Sequence, residues 1–388
     1  MKALYAPFVL LLVSMMAACG SNQKEVKEQT ATTDTVAVYD SVLTPNFYKR
    51  LEGTIADQPV VVHLQSSNGE ISGVYYYLSH GEWLNLSGKL NTAEPNKVTL
   101  IETSPGDGEK SGEMDCSYAQ GSFKGSWRSA DGSKNYIIDL KETYPEGSYT
   151  FTTLSFKDSI PAFPDRPESP QAEVSSRFVV PLKDDADGQW LESQIKNVLH
   201  VDTVLLSLDL ATAVKKMNGK YLKSYKDEAK NMGNDEQFTS FLNYEEWQTV
   251  SVCYNENGYV VLSADVYSYS GGAHGNGGTA FSCLDVRNKK QLKLQDVISA
   301  DSARLQPIVE AAFRKQQGLK PSDSLNTILF ENHLATTDNY YFTNKGIGFY
   351  YFPYEVAAYA VGPIQVFVTF AELKSYLKAD FASRLKLQ

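Results

Sequence analysis

Tyr267-Ser268-Tyr269-Ser270-Gly271-Gly272-Ala273-His274-Gly275-Asn276-Gly277-Gly278 separates two apolar runs, Val260-Val261-Leu262-Ser263-Ala264-Asp265-Val266-Tyr267 and Thr279-Ala280-Phe281-Ser282-Cys283-Leu284-Asp285-Val286. Both runs are rich in residues that fit a pleated, half-buried surface. The stretch between them holds five glycines and one histidine. Glycines so clustered mark backbone at positive φ or in close approach to another group. The reading is therefore strand, glycine loop, strand. A phosphate cradle needs the loop to run into a helix N-terminus, commonly with a lysine. Here it runs into a strand and holds no lysine.

Upstream of this hairpin, Trp247 to Tyr254 reads as a third strand, joined to 259–267 by the turn Asn255-Glu256-Asn257-Gly258. Helical spacing is present at Trp190, Leu191, Ile195, Val198 and Leu199. It recurs at Leu210, Val214, Met217, Tyr221 and Tyr225, with Asp209 as N-cap. Downstream, Leu305, Ile308, Val309, Ala312 and Phe313 predict another helix. Three short β runs follow at 339–343, 347–352 and 364–368, and a closing helix is expected over Phe370 to Leu377. Helices and antiparallel strands thus share residues 177–388, an α+β domain with an antiparallel sheet packed by helices.

Further upstream, residues 158–176 hold Pro161, Pro164, Pro167 and Pro170 among charges and read as a linker. Residues 45–157 show short strands with frequent turns, including the hairpin signal Asn68-Gly69. They predict a small antiparallel all-β domain, a barrel or a sandwich. The run Tyr149 to Phe156 either closes this domain or opens the next. Residues 19–44 are polar and read as a flexible tether. At the N-terminus, Lys2 precedes the short apolar run Phe8 to Met16, then Ala17-Ala18-Cys19. That run is too short for a spanning helix and reads as a secretion leader. The small residues before the cysteine resemble a bacterial lipobox. The resemblance implies cleavage at residue 18 and a lipidated Cys19, hence an anchor in a membrane. Gly20 in place of a retention Asp favours the outer membrane.

The net charge of −10 argues against a nucleic-acid partner, and no basic stripe is interleaved with aromatics. No cofactor is implied. The five histidines show no paired spacing, so no metal site is expected. Cys253 and Cys283 lie in the same domain, but the strand between theirs puts them roughly 10 Å apart, beyond disulfide reach. With Cys116 they are expected as buried free thiols.

Two motifs together resemble the RsiV/PdaC-like extracytoplasmic domain family over residues 175–380. One is Tyr267 to Gly275. The other is Tyr341-Phe342-Thr343-Asn344-Lys345-Gly346-Ile347, continued by Phe349 to Val356 and Tyr359-Ala360-Val361-Gly362-Pro363. The resemblance implies an α+β domain outside the membrane that binds or senses an envelope ligand, either a lysozyme-like protein or a peptidoglycan-type glycan. It does not imply deacetylation, since no separate catalytic domain of that kind is visible. Gly271, Gly272, His274, Gly275, Tyr351, Tyr354, Glu355 and Tyr359 are the expected binding residues, with His274 pinning the two loops together. The alternative is a cell-wall hydrolase in which His274 and Glu355 act as an acid/base pair.

Overall fold

Period-two alternation shapes the first part of the chain, and in the computed structural model it closes on itself. Residues 40–387 are described, except 92, 105–107 and 233–240. Strands β1 (Phe47–Ile55), β2 (Gln58–Ser67), β3 (Glu70–Tyr77), β4 (Trp83–Leu90), β5 (Lys97–Thr103), β6 (Lys110–Ala119), β7 (Ser122–Ser129) and β8 (Asn135–Glu142) form a closed antiparallel barrel. The seam joins β1 to β8 from Leu51↔Glu142 to Ile55↔Ile138. Inward residues such as Leu51, Ile55, Leu64, Leu100, Met114 and Phe123 fill the interior. The barrel interior is therefore a packed hydrophobic core.

The expected linker is a correction. Residues 158–176 are mostly strand: β9 (Phe151–Pro161) pairs antiparallel with β10 (Gln171–Pro181) along their full length. The prolines occupy the end of β9 and the turn, where no ladder donor is needed. Tyr149 to Phe156 thus leads into the second sheet rather than closing the barrel.

That sheet continues with α1 (Ala186–Val198), α2 (Leu210–Met232), β11 (Tyr244–Glu256), β12 (Tyr259–Tyr269), β13 (Asn276–Asp285) and β14 (Lys290–Gln291). Asp209 accepts from the Thr212 N–H at 2.9 Å, the cap expected of it. The strand order is β14-β13-β12-β11-β10-β9. All pairs are antiparallel except β10–β11, which is parallel because two helices cross over between them. One face packs on those helices through Val250, Val260 and Leu262 against Leu191, Ile195 and Val214.

After α3 (Leu294–Val297) and α4 (Ser302–Gln316), strands β15 (Tyr340–Phe342), β16 (Gly346–Tyr351) and β17 (Ile364–Thr369) make a separate three-stranded sheet. The closing helix is α5 (Ala379–Arg384), whereas residues 370–376 are turns and Leu377 makes an isolated antiparallel bridge with Ile298. Asn339 bridges the two sheets: its side chain accepts from the Phe281 N–H at 2.9 Å and donates to the Thr279 carbonyl at 2.8 Å. In effect an amide side chain serves as one rung of the missing neighbour of β13.

Barrel and main sheet are fused through the outward face of β1 and β2. Gln65 donates to Ser251 and its carbonyl oxygen accepts from the Val252 N–H. Arg50 reaches Glu256, and Thr153 donates to the Ser66 carbonyl. At the centre, Asn255 donates to the Tyr48 hydroxyl at 3.1 Å, which lies 2.9 Å from His63 Nδ1. Tyr48 therefore gives its own proton to Nδ1, leaving the His63 proton on Nε2. That atom is buried without a partner.

Burial first, and then the charge of Arg50, hold the His63 pKa well below its ordinary value. The unfolded chain binds a proton near pH 6.5 that the folded one refuses. Stability is thus complete above that pH and falls as the pH drops through the window towards the folded value. Between pH 7 and 5 the melting temperature is expected to fall more for the wild type than for His63→Gln. Equal falls would remove His63 from the account.

Candidate functional site

The β12–β13 hairpin forms as read, and its glycines have separate reasons. Gly271 and Gly272 sit at φ +88° and +98°. A Cβ on Gly275 would strike the Tyr267 ring, and one on Gly278 the Phe352 ring. His274 is exposed and belongs to an aromatic cluster. Its ring stacks on Tyr359 with centroids 4.2 Å apart, and Tyr354 lies 6.2 Å away. His274 Nδ1 donates to the Gly275 carbonyl at 3.0 Å, and the Tyr359 hydroxyl donates to the same oxygen at 3.0 Å. The two motif loops do meet, with His274 between them.

The His274–Glu355 pair is not formed. Glu355 turns inward on its own loop and accepts from the Phe352 N–H at 2.8 Å. Tyr354, at φ +69°, takes the tight turn that permits this. Tyr351 is also corrected. It is fully buried, because β16 is covered on both faces, and its hydroxyl donates to the Ala335 carbonyl at 2.6 Å. Among the described residues no group of three His, Cys, Asp or Glu side chains is placed to hold a metal ion, and no helix is long and apolar enough to cross a membrane. Cys19 lies outside the described residues. Cys116, Cys253 and Cys283 are free and buried, with β12 separating the strands of the last two. Burial pushes the Cys253 and Cys116 thiols up to about 12, so neither is a ready nucleophile.

The larger concavity lies beside the glycine loop. A cleft of about 700 Å³ opens between the barrel and the sheet face that the helices leave uncovered. Trp83 and Asn85 on β4 form the barrel wall, Tyr350 and Gln365 close one end, and Trp247, Asp265 and Phe281 lie on the sheet. Thr249 and Ser251, Ser263 and Asp265, and Ser175 and Arg177 alternate along neighbouring strands, so one face collects hydroxyls and charge. The loop begins just past this wall: Asp265 pairs with Thr279, and Tyr267 stacks on Trp247 at 5.7 Å.

Asp265 Oδ1 accepts from the Thr279 hydroxyl at 2.6 Å. Burial holds its carboxyl above the usual range, against the lowering effect of that hydrogen bond. Glu246 is raised by burial as well. Lys157 and Glu173 pair at 2.7 Å. The barrel wall carried no sequence signal, because the alternation of β4 does not say which element its outward face meets. The sheet wall carried a usable signal, the Ser, Thr and Asp residues recurring every second position inside apolar runs.

An α+β fold preceded by a barrel, with a polar and aromatic cleft at their junction, is what the structure defines. Residues 148–277 match the family model described as "Deacetylase PdaC", and residues 295–371 match "Protein of unknown function (DUF3298)". A solved DUF3298 family member from Bacteroides fragilis superposes with a TM-score of 0.58 at 23% identity. The match covers 62% of this chain and 99% of that one. Another, from Pseudomonas aeruginosa PAO1, gives 0.43 at 17% identity, covering 59% and 95%. No curated protein matches. The barrel lies outside both family-model matches.

Proposed function

We propose that this chain is an extracytoplasmic lipoprotein, anchored in the outer membrane through Cys19, that binds a peptidoglycan-type glycan without transforming it. The observation that supports this best is the cleft. Its volume falls in the range of small-ligand sites, about 300–1,000 Å³. Its half-buried rings, Trp247 and Phe281, offer apolar surface to sugar rings, and its hydroxyl and amide groups offer hydrogen bonds. The leader, the lipobox and the resemblance to envelope-sensing domains agree with that ligand. Hydrolysis is not retained, because the Glu355 carboxylate is turned onto its own loop and away from His274.

Titrating a muropeptide into the delipidated chain should change tryptophan fluorescence, since Trp83 and Trp247 line the cleft. Trp247→Ala is expected to weaken binding about tenfold, the loss of ~1.4 kcal/mol. Asn85→Ala on the barrel wall should weaken it less. A folded protein that ignores the muropeptide at millimolar concentration would sink the glycan reading. Binding to lysozyme instead would assign the cleft to a protein partner. Membrane retention of the Cys19→Ala chain would remove the lipid anchor.

A further inference from the structure

We infer that the cleft takes a ligand bearing a primary ammonium group, and that Asp265 on its floor receives that group. This rests on the glycan reading and narrows it. A carboxylate offers about four acceptor sites. Among the described residues, the Thr279 hydroxyl is the one hydrogen-bond donor to Asp265, and no ion pair reaches it. The titratable groups beside it are the Cys253 thiol of β11 and the Tyr350 hydroxyl of β16, and neither is a cation. A half-buried carboxyl so poorly satisfied is costly when ionised. A ligand ammonium with three donors would satisfy it, leaving spare donors for the neighbouring hydroxyls.

The surrounding charges favour the same choice. On β9 and β10, Lys157 and Glu173 cancel. Glu245 on β11 faces the cleft with no ion pair among the described residues, whereas Glu246 points to the opposite face beside Tyr221 of α2, and Arg177 of β10, exposed to solvent, stands against Glu245. The barrel wall carries no charge at Ser72, Val74, Trp83 or Asn85. The charge left uncompensated within the aromatic frame is therefore that of Asp265 itself. A carboxylate ligand meets repulsion here, and an acetamide gains nothing from the charge.

Binding is linked to a proton. Asp265 is held above the usual carboxyl range, so an arriving ammonium ionises the protonated fraction, and that proton leaves to buffer. Affinity for the ammonium rises with pH until the carboxyl is fully ionised. A primary ammonium reaches an envelope glycan from two sources, a de-N-acetylated amino sugar or the side chain of a basic residue in its peptide.

The test is calorimetric titration of the delipidated chain at about pH 5, where the amines are protonated and a carboxyl raised above its ordinary range keeps a protonated fraction, with a glucosamine trimer, an N-acetylglucosamine trimer and a short lysine-containing peptide, each in two buffers of different ionisation enthalpy. At least one amine-bearing probe should bind tenfold or more tighter than the acetylated trimer, with proton release. Asp265→Asn should abolish both the preference and the proton. This variant buries an amide in place of a costly carboxylate and should melt no lower than wild type at pH 7. The proton release of the wild type needs no variant. Trimer and peptide tell the two sources apart. Equal binding of acetylated and free-amine trimers with no proton exchanged would overturn the ammonium inference and leave the glycan reading standing. No binding of any probe at millimolar concentration would overturn both.

Discussion

Trp83→Ala is expected to lower the unfolding free energy by about 3–4 kcal/mol, the lower part of the range for deleting a buried Trp. Trp83 leaves the barrel on β4 but is 3% exposed, because its ring is sealed in the junction. It stacks on Tyr341 of β15 at 3.6 Å and 11°, with Phe281 of β13 at 5.6 Å. Tyr341 lies flat because its register partner on β16 is Gly348, where a Cβ would strike the ring. The Tyr341 hydroxyl in turn accepts from Gln365 at 2.7 Å. One indole thus joins all three sheets, and truncation opens a void that rigid strands cannot close. The loss falls below the top of the range because Trp83 borders the cleft, so water enters the void. Trp83→Phe should recover more than half of the loss. Urea unfolding followed by circular dichroism measures both variants. A loss below about 1 kcal/mol for the alanine variant would mean that barrel and sheets are held by their polar contacts alone.

That junction marks the boundary between what the sequence exposed and what it hid. The barrel strands other than β1 and β6 were legible because turn signals and alternation are local properties of the chain. So was the β12–β13 hairpin. β1 was not, since Lys49 and Arg50 break the apolar pattern and are satisfied by partners distant in sequence; β6 was passed over although Met114, Cys116 and Tyr118 alternate with Glu113, Asp115 and Ser117. Arg50 alone is paired across 206 residues with Glu256. The proline stretch read as a linker because composition reports the cost of a missing N–H, not whether the position needs one. At the candidate site, the meeting of the two loops was legible from their motifs. The partner of His274 was not: tyrosine stacking and carboxylate turning are settled by backbone details such as the positive φ of Tyr354. The cleft was hidden most completely, because its two walls come from segments with no sequence cue that they face one another.

Arg50→Met is expected to cost about 3 kcal/mol, and adding Glu256→Leu should restore much of it, because a broken buried pair is worse than none. Arg50 is fully buried. It donates to Glu52 at 2.6 Å, to the Thr143 carbonyl at 3.0 Å and to Glu256, whose side chain is 22% exposed. Its Nε atom has no partner. The guanidinium thus gives up its hydration for three acceptors, and its removal strands Glu256 beside Tyr254, which donates to that carboxylate at 3.2 Å. The partial exposure of both glutamates lets water recover part of the loss, which places the effect at the low end for broken buried pairs, about 3–5 kcal/mol. A double-mutant cycle isolates the coupling. If the double variant loses the sum of the single losses, the pair is not the clamp. The same substitution carries an independent readout. The charge of Arg50 is one of the two causes that hold His63 low, so its removal should raise the His63 value towards 6.5 and shrink the acid-induced fall in melting temperature between pH 7 and 5. A fall as steep as in wild type would leave burial as the whole cause, and Arg50 would then act on the sheet through Glu256 alone.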